Sequence, residues 1–267
     1  MYDTNQTEVS RGAIVELALA LEIYKDDFAL AGGWVPYFLT QGYTEHCGSL
    51  DIDLVLRPSI VVRYESIRTI VTSLGYQPTS NPFRFERELK ALNGAPFPMH
   101  LDFLTEPEAR GQVEALLDVQ EDLQAVFIPG CSIVFTFNYT EIVKGNLPSG
   151  GEGSADIRSS DIVAALTMKG LALGRPRKLE KDSYDIYTMA GFHGGTPHKA
   201  ASRFKRLIET LSDGVKPPAT VRALGKIKNG FASPNSYAAQ AASRFLAEDI
   251  SVDASERVSV FLSQVQS

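Results

Sequence analysis

Two aspartates sit where a charge is costly. In "SLDIDLVL", Leu50, Ile52, Leu54 and Leu56 alternate with Asp51 and Asp53, the period of a strand whose two faces differ. Asp is depleted in strands, and a carboxylate there needs a partner. Residues i and i+2 of a strand lie about 6.5–7 Å apart at Cα and point the same way. Asp51 and Asp53 can therefore converge on two Mg²⁺ ions about 3.5–4 Å apart, the separation used in two-metal phosphoryl transfer. Mg²⁺ takes oxygen ligands and keeps phosphate and water in its shell. A third carboxylate from a neighbouring strand would complete the site. Asp102 in "MHLDFLT", on one face with His100, is suitably placed. The plain alternative is an exposed sheet face that carries Asp.

Other residues could hold a phosphate. Gly32-Gly33 ends the apolar run Phe28 to Ala31. Such a turn lets backbone amides approach a ligand, and a helix starting near Trp34 would add its N-terminal dipole; it could equally be only a tight turn. Ser49, two residues before Asp51, could donate its hydroxyl to a phosphate oxygen or simply form a turn after Gly48. Lys169 shares a helix face with Ile162, Ala165, Leu166 and Leu173, so its ammonium either snorkels to solvent or reaches a triphosphate. Lys181 and Asp185 are spaced as an i,i+4 helix pair.

The elements that must position these residues follow from periodicity and punctuation. A helix is expected from about Glu8 to Tyr24, a strand at Phe28–Ala31 and a helix at Trp34–Thr40. The D-x-D strand follows, then a helix capped by Ser59 and stopped by Gly75. Strands are expected at "FRFER" (Phe83 to Arg87), at "MHLDFLT" and at Ile133 to Phe137. The Pro/Gly/Ser-rich stretch "NLPSGGEGSAD", Asn146 to Asp156, reads as a boundary. Helices follow at Asp161–Leu173, Lys181–Met189 and Pro197–Leu211 and continue to the end. The expectation is an N-terminal mixed α/β unit, residues 1–150, then a helical unit, residues 151–267.

The 267 residues suffice for one large or two modest domains. No apolar run approaches the roughly 20 residues of a membrane helix, and the polar start "MYDTNQTEVSRG" lacks a signal peptide's apolar core. Cys47 and Cys131 suggest thiols in a reducing cytoplasm and are too few for an ordinary structural zinc site. The net charge of −6 argues against a generic polyanion binder. Its distribution points the other way: between Pro197 and Gly230 lie eight basic side chains against Glu209 and Asp213. Either this is a solvated helical face or, with Lys199, Arg203 and Arg206 on one side, a footprint for a phosphate backbone.

"AGGW", then "GSLDIDL", then "LDF" resembles the nucleotidyltransferase superfamily of the DNA polymerase β type. The segment "SSDIVAALTMKGLALGRPRKLEKDSYDIYTM", Ser159 to Met189, looks like the AbiEii-type nucleotidyltransferase toxins, which include the MenT group: a Lys on a helix (Lys169), an Ala-Leu step (Ala172-Leu173), a basic turn (Arg175 to Lys178), then K-D-x-x-D-[IL] from Lys181 to Ile186. The motifs keep their order from Ala31 to Met189. Cys47 stands where the family often has a basic residue.

The resemblance implies an α+β polymerase β-type core with a mixed sheet flanked by helices and a helical C-terminal domain. It implies a Mg²⁺-dependent transfer of a nucleoside monophosphate from an NTP to an acceptor hydroxyl. Asp51, Asp53 and Asp102 would bind two ions, with Asp102 also suited to accept the acceptor's proton. Gly32, Gly33, Ser49, Lys169 and Lys181 would hold the triphosphate, and Asp185 would orient a lysine or the nucleotide. It further implies a toxin of a toxin–antitoxin or phage-defence system, an antitoxin partner and a tRNA-like acceptor. Two rivals stand beside it: a nucleotidyltransferase acting on an antibiotic-like alcohol, and an inactive nucleotide- or partner-binding module.

Overall fold

Asp3 starts the first helix, α1 (Thr4–Ala20), by accepting the Asn5 N–H at 3.0 Å. The computed structural model describes residues 3–107 and 115–266. The chain forms two compact units, one from residues up to 34 with 47–160, the other from residues 35–46 with 161 onward.

The first unit is built on one mixed sheet. Its strands are β1 (Phe28–Ala31), β2 (Asp51–Leu56), β3 (Gln77–Pro78), β4 (Arg84–Lys90), β5 (Pro96–Thr105), β6 (Leu116–Gln120), β7 (Leu123–Phe127), β8 (Asn138–Asn146) and β9 (Glu152–Ser160). They run in the order β3-β4-β5-β2-β1-β9-β8, with β7 beside the end of β5 and β6 beside β7. The pairs β1–β9, β2–β5 and β5–β7 are parallel and the others antiparallel.

Alternation separates the two faces of β2. Ile52 and Leu54 line an apolar space with Ile14, Leu17 and Ala18 of α1, so Asp51 and Asp53 face the other way. On β5, Leu101 and Phe103 are fully buried, and Phe103 meets Phe85 of β4 edge-on at 5.7 Å. Gly12 brings α1 directly onto β8: a Cβ there would lie 1.8 Å from the Asn146 carbonyl oxygen.

Three local expectations are corrected. Ser59 caps nothing. The helix α3 (Ile67–Ser73) is capped by Ser66, whose hydroxyl accepts the Thr69 N–H. The residues before it are tied to the core by the buried Tyr24 hydroxyl, which donates to the Glu65 carbonyl at 2.6 Å and accepts the Arg63 N–H at 2.9 Å. The run from Ile133 is not a strand; Cys131–Phe135 is a short 3-10 helix entered through Gly130 in the left-handed region, with Cys131 and Val134 buried three residues apart. The Pro/Gly/Ser stretch after Asn146 is the turn of the β8–β9 hairpin, where the Leu147 N–H donates to the Gly151 carbonyl.

The second unit is helical: most of α2 (Trp34–Thr40), then α4 (Ile162–Ala172), α5 (Leu179–Phe192), α6 (Pro197–Glu209), α7 (Pro218–Gly230), α8 (Tyr237–Leu246) and α9 (Ser251–Val265). Residues 182–191 of α5 are all buried, and α5 packs against α4, α6, α8 and α9. Gly170 lets α4 and α7 approach, since a Cβ there would lie 2.9 Å from that of Ala223. The architecture is thus α+β, a mixed sheet flanked by helices and followed by C-terminal helices. No helix among the described residues is long and apolar enough to cross a membrane.

Candidate active site

Strand register assembles the carboxylates. Asp53 pairs with Ala31 on one side and Asp102 on the other, and Asp51 pairs with His100. One strand further, Arg84 pairs with Asp102 and Glu86 with His100. Six side chains from β2, β5 and β4 thus form a two-by-three grid on one sheet face. Each strand supplies two because residues two apart share a side.

The grid is wired across the strands. Arg84 grips Asp102 with both arms of its guanidinium, Nε to Oδ1 and Nη2 to Oδ2, each at 2.6 Å, the bidentate geometry in which Arg–carboxylate pairs are strongest. His100 bridges Asp51 and Glu86, 3.0 Å from each. The carboxylate of Asp102 is buried, while those of Asp51 and Glu86 are partly exposed. The Arg84 pKa is raised, chiefly by the hydrogen bond to Asp102, with the charges of Asp102, Asp51 and Asp53 adding. Its guanidinium therefore sits in the field of all three aspartates.

Gly32 presses on this grid. Its φ is +71°, and a Cβ on it would stand 1.8 Å from Asp53 Oδ2. The glycine is required twice, for its backbone conformation and for the carboxylate lying against it. Gly33 is buried beside it, and α2, which follows, has only seven residues. Ser49 is buried and its hydroxyl accepts the Asp51 N–H at 3.2 Å, so it shapes the entry to β2.

The helical unit gathers a second set. Lys169 Nζ lies 2.7 Å from Asp182 Oδ1 and 2.7 Å from Asp185 Oδ2. Lys181 pairs with Asp185 Oδ1, which also meets His46 Nε2 at 3.0 Å. Arg175 reaches Asp182 Oδ2 at 3.3 Å. Lys169 is no snorkelling surface residue: its side chain is only 14% exposed and two carboxylates embrace it. Burial alone would lower its pKa, but Asp185 and Asp182 hold it above the ordinary lysine value. Burial would raise the Asp185 pKa, yet Lys169, Lys181 and His46 hold it far below the usual carboxylate range. Burial, reinforced by Lys181, pushes His46 down to about 4, so it is neutral at pH 7. Its ring stacks on Tyr184, which stacks on Phe245, and Lys181 Nζ lies under 6 Å from both of the latter rings.

Sequence reasoning thus named residues that fall into two groups: Asp51, Asp53 and Asp102 with Gly32 and Ser49 in one unit, and Lys169, Lys181 and Asp185 in the other. It passed over Arg84, Glu86 and His46. The alternation of "FRFER" was the available signal for the first two; nothing local marks His46 as the partner of a residue 139 positions away. On the basic segment, Lys199 and Arg206 are exposed, but Arg203 is bound to Asp161, the buried N-cap of α4.

No protein-family model matches the chain, and no curated protein matches it. Among solved structures, an antigenic nucleotidyltransferase-like protein from Paracoccidioides brasiliensis is similar at 18% identity, over 79% of this chain and 91% of that one, with a TM-score of 0.41. The functional reading therefore stands on the side chains described above.

Proposed function

We propose that this chain is a nucleotidyltransferase that moves a nucleoside monophosphate from an NTP to an acceptor hydroxyl and releases pyrophosphate. One observation carries the reading: Asp51 and Asp53 stand on one sheet face, with Asp53 in register with Asp102 and pressed against Gly32 in its positive-φ turn. Carboxylates grouped on a half-exposed face are costly without a cationic ligand.

The donors suit a hard cation. Asp51 and Asp53 offer carboxylate oxygens from one face, as Mg²⁺ requires. Both oxygens of Asp102 lie in the Arg84 fork. Among the described residues, no three His, Cys, Asp or Glu side chains are grouped as a ready metal site, and the Asp51–Asp53 pair is the donor set proposed. When bound, a divalent ion would neutralise the triphosphate and activate the attacking and leaving oxygens. Asp51 and Asp53 would hold it, His100 orients Asp51, and Arg84 fixes Asp102 in the row. Lys169 and Lys181 are the cations proposed for the triphosphate, and each would exchange contact with Asp185 for phosphate oxygen.

The acceptor proposed is RNA of tRNA type, contacted through Lys199 and Arg206 of α6, in the role of a toxin restrained by a partner protein. Arg203 is committed to Asp161 and adds charge rather than a free contact. The test incubates the full chain with each α-labelled NTP, Mg²⁺ and total cellular RNA. Labelled RNA supports the whole reading. Label on a small alcohol alone would move the acceptor to the antibiotic class, and no label with any NTP would refute nucleotidyl transfer.

A further inference from the structure

Within the nucleotidyl-transfer reading, on which this step rests, we propose that Phe245 is the platform on which the base of the NTP stacks, beside the phosphate-binding lysines. Three observations converge. His46, Tyr184 and Phe245 form a near-parallel stack in the helical unit: the first two rings lie 5.1 Å apart at 12°, the next two 4.9 Å apart at 23°. The stack runs outward. His46 and Tyr184 are buried, whereas Phe245, near the end of α8, is partly exposed, and among the described residues no further ring stacks on it. Lys181 Nζ lies 5.7 Å from the Phe245 ring centre and 5.8 Å from that of Tyr184.

A stack that only packed α5 on α8 would gain most by closing over its last ring; this one ends at the solvent boundary. The charges beside it are unbalanced. Lys169, Lys181 and Arg175 share one network with only two carboxylates, Asp182 and Asp185. An aromatic face next to surplus positive charge fits a ligand that is itself aromatic and polyanionic, and an NTP is both. The 5.7 Å between the Lys181 ammonium and the Phe245 ring is within the span from base to phosphate of one nucleotide. Tyr184 and His46 back the Phe245 ring from the buried side. Stacking tolerates any base, because every base has a π-face. Phe245 therefore supplies affinity for the nucleoside rather than choice among the four NTPs.

The experiment titrates the full chain by calorimetry, in Mg²⁺ buffer, with each of the four NTPs and with inorganic tripolyphosphate. The ion serves both kinds of ligand, so their difference isolates the nucleoside. The best NTP should bind about fivefold or more tightly than tripolyphosphate, the size of one base–aromatic stack. Phe245→Ala should erase that preference and leave tripolyphosphate affinity near native, whereas Phe245→Tyr, which keeps a ring, should retain it. Lys181→Gln should weaken both ligands alike. Circular dichroism identifies a variant that misfolds; if Phe245→Ala does, Phe245→Leu takes its place with the same expected loss. Equal affinity of NTP and tripolyphosphate on the native chain, no binding of either, or a preference that survives in Phe245→Ala would overturn the proposal. A chain that labels an acceptor yet gives one of these results overturns only the role of Phe245. A chain that shows the Phe245-dependent preference but labels nothing with any NTP overturns the transfer and keeps the nucleotide platform.

Discussion

The sheet grid and the helical cluster solve the same problem differently. Both gather carboxylates and cations. On the sheet, Asp51 and Glu86 remain partly open to solvent, and the partners lie across strands. In the helical unit Asp182 and Asp185 are at most 1% exposed and each meets at least two cationic or imidazole groups. An open carboxylate can change partners at little cost. A buried one is committed, because removing its partner strands a charge in a poorly solvated place. Reactivity is accordingly proposed for the grid. The proposed phosphate binding by Lys169 or Lys181 would require opening a network that also holds α4 and α5 together.

The comparison breaks most visibly at Asp185. Asp185→Ala removes the counter-charge that Lys169 and Lys181 share, and about 3–5 kcal/mol of unfolding free energy should be lost. Urea denaturation followed by circular dichroism measures it, and a loss under about 1 kcal/mol would mean the cluster is as open as the grid.

Next in size is a pH effect. The folded His46 pKa, about 4, lies below the ordinary value of 6.5. Between these values the unfolded chain takes up a proton that the folded chain refuses. Stability is therefore full above about pH 6.5 and falls as pH drops towards 4, by about 3 kcal/mol. His46→Gln should flatten that part of the pH profile of unfolding. An unchanged slope would assign the acid sensitivity to other groups.

Gly32→Ala should follow. The added methyl would overlap Asp53 Oδ2, and the backbone would need a positive φ that alanine adopts at about 1–2 kcal/mol. Both a lower unfolding midpoint and weaker Mn²⁺ binding are expected; native-like binding would separate Gly32 from the grid.

The smallest effect sharpens the basic helix. Arg203→Ala uncovers Asp161 at the start of α4 and should cost about 1–2 kcal/mol. The exposed Arg206→Ala should change stability by under about 0.5 kcal/mol while weakening RNA retention in filter binding. Equal stability losses in the two variants would contradict the assignment of Arg203 to the fold.

The legible parts of the sequence were those where period and chemistry agree. Asp51 and Asp53 were readable because two charges interrupt an apolar alternation, and Lys169 because it stands on an apolar helix. β9, "EGSADIRSS", was not, since its small polar residues form a strand only by pairing with β8 and β1. Ser66 displaced Ser59 as a cap through Tyr24, about 40 residues away. The wiring of the site was hidden for the same reason. Asp102 is legible as a carboxylate on a strand, but that its oxygens belong to Arg84 depends on which strand lies beside β5.

The central claim is that Asp51 and Asp53 form the reactive pair of a nucleotidyltransferase, and Asp53→Asn tests it most directly. Native chain and variant are incubated side by side with α-labelled NTP, Mg²⁺ and RNA, and their unfolding midpoints are recorded. The account predicts label transfer by the native chain, a loss of about a thousandfold or more in the variant, and a midpoint equal to or slightly above native, since one carboxylate charge has left a crowded face. Near-native transfer by Asp53→Asn would contradict it.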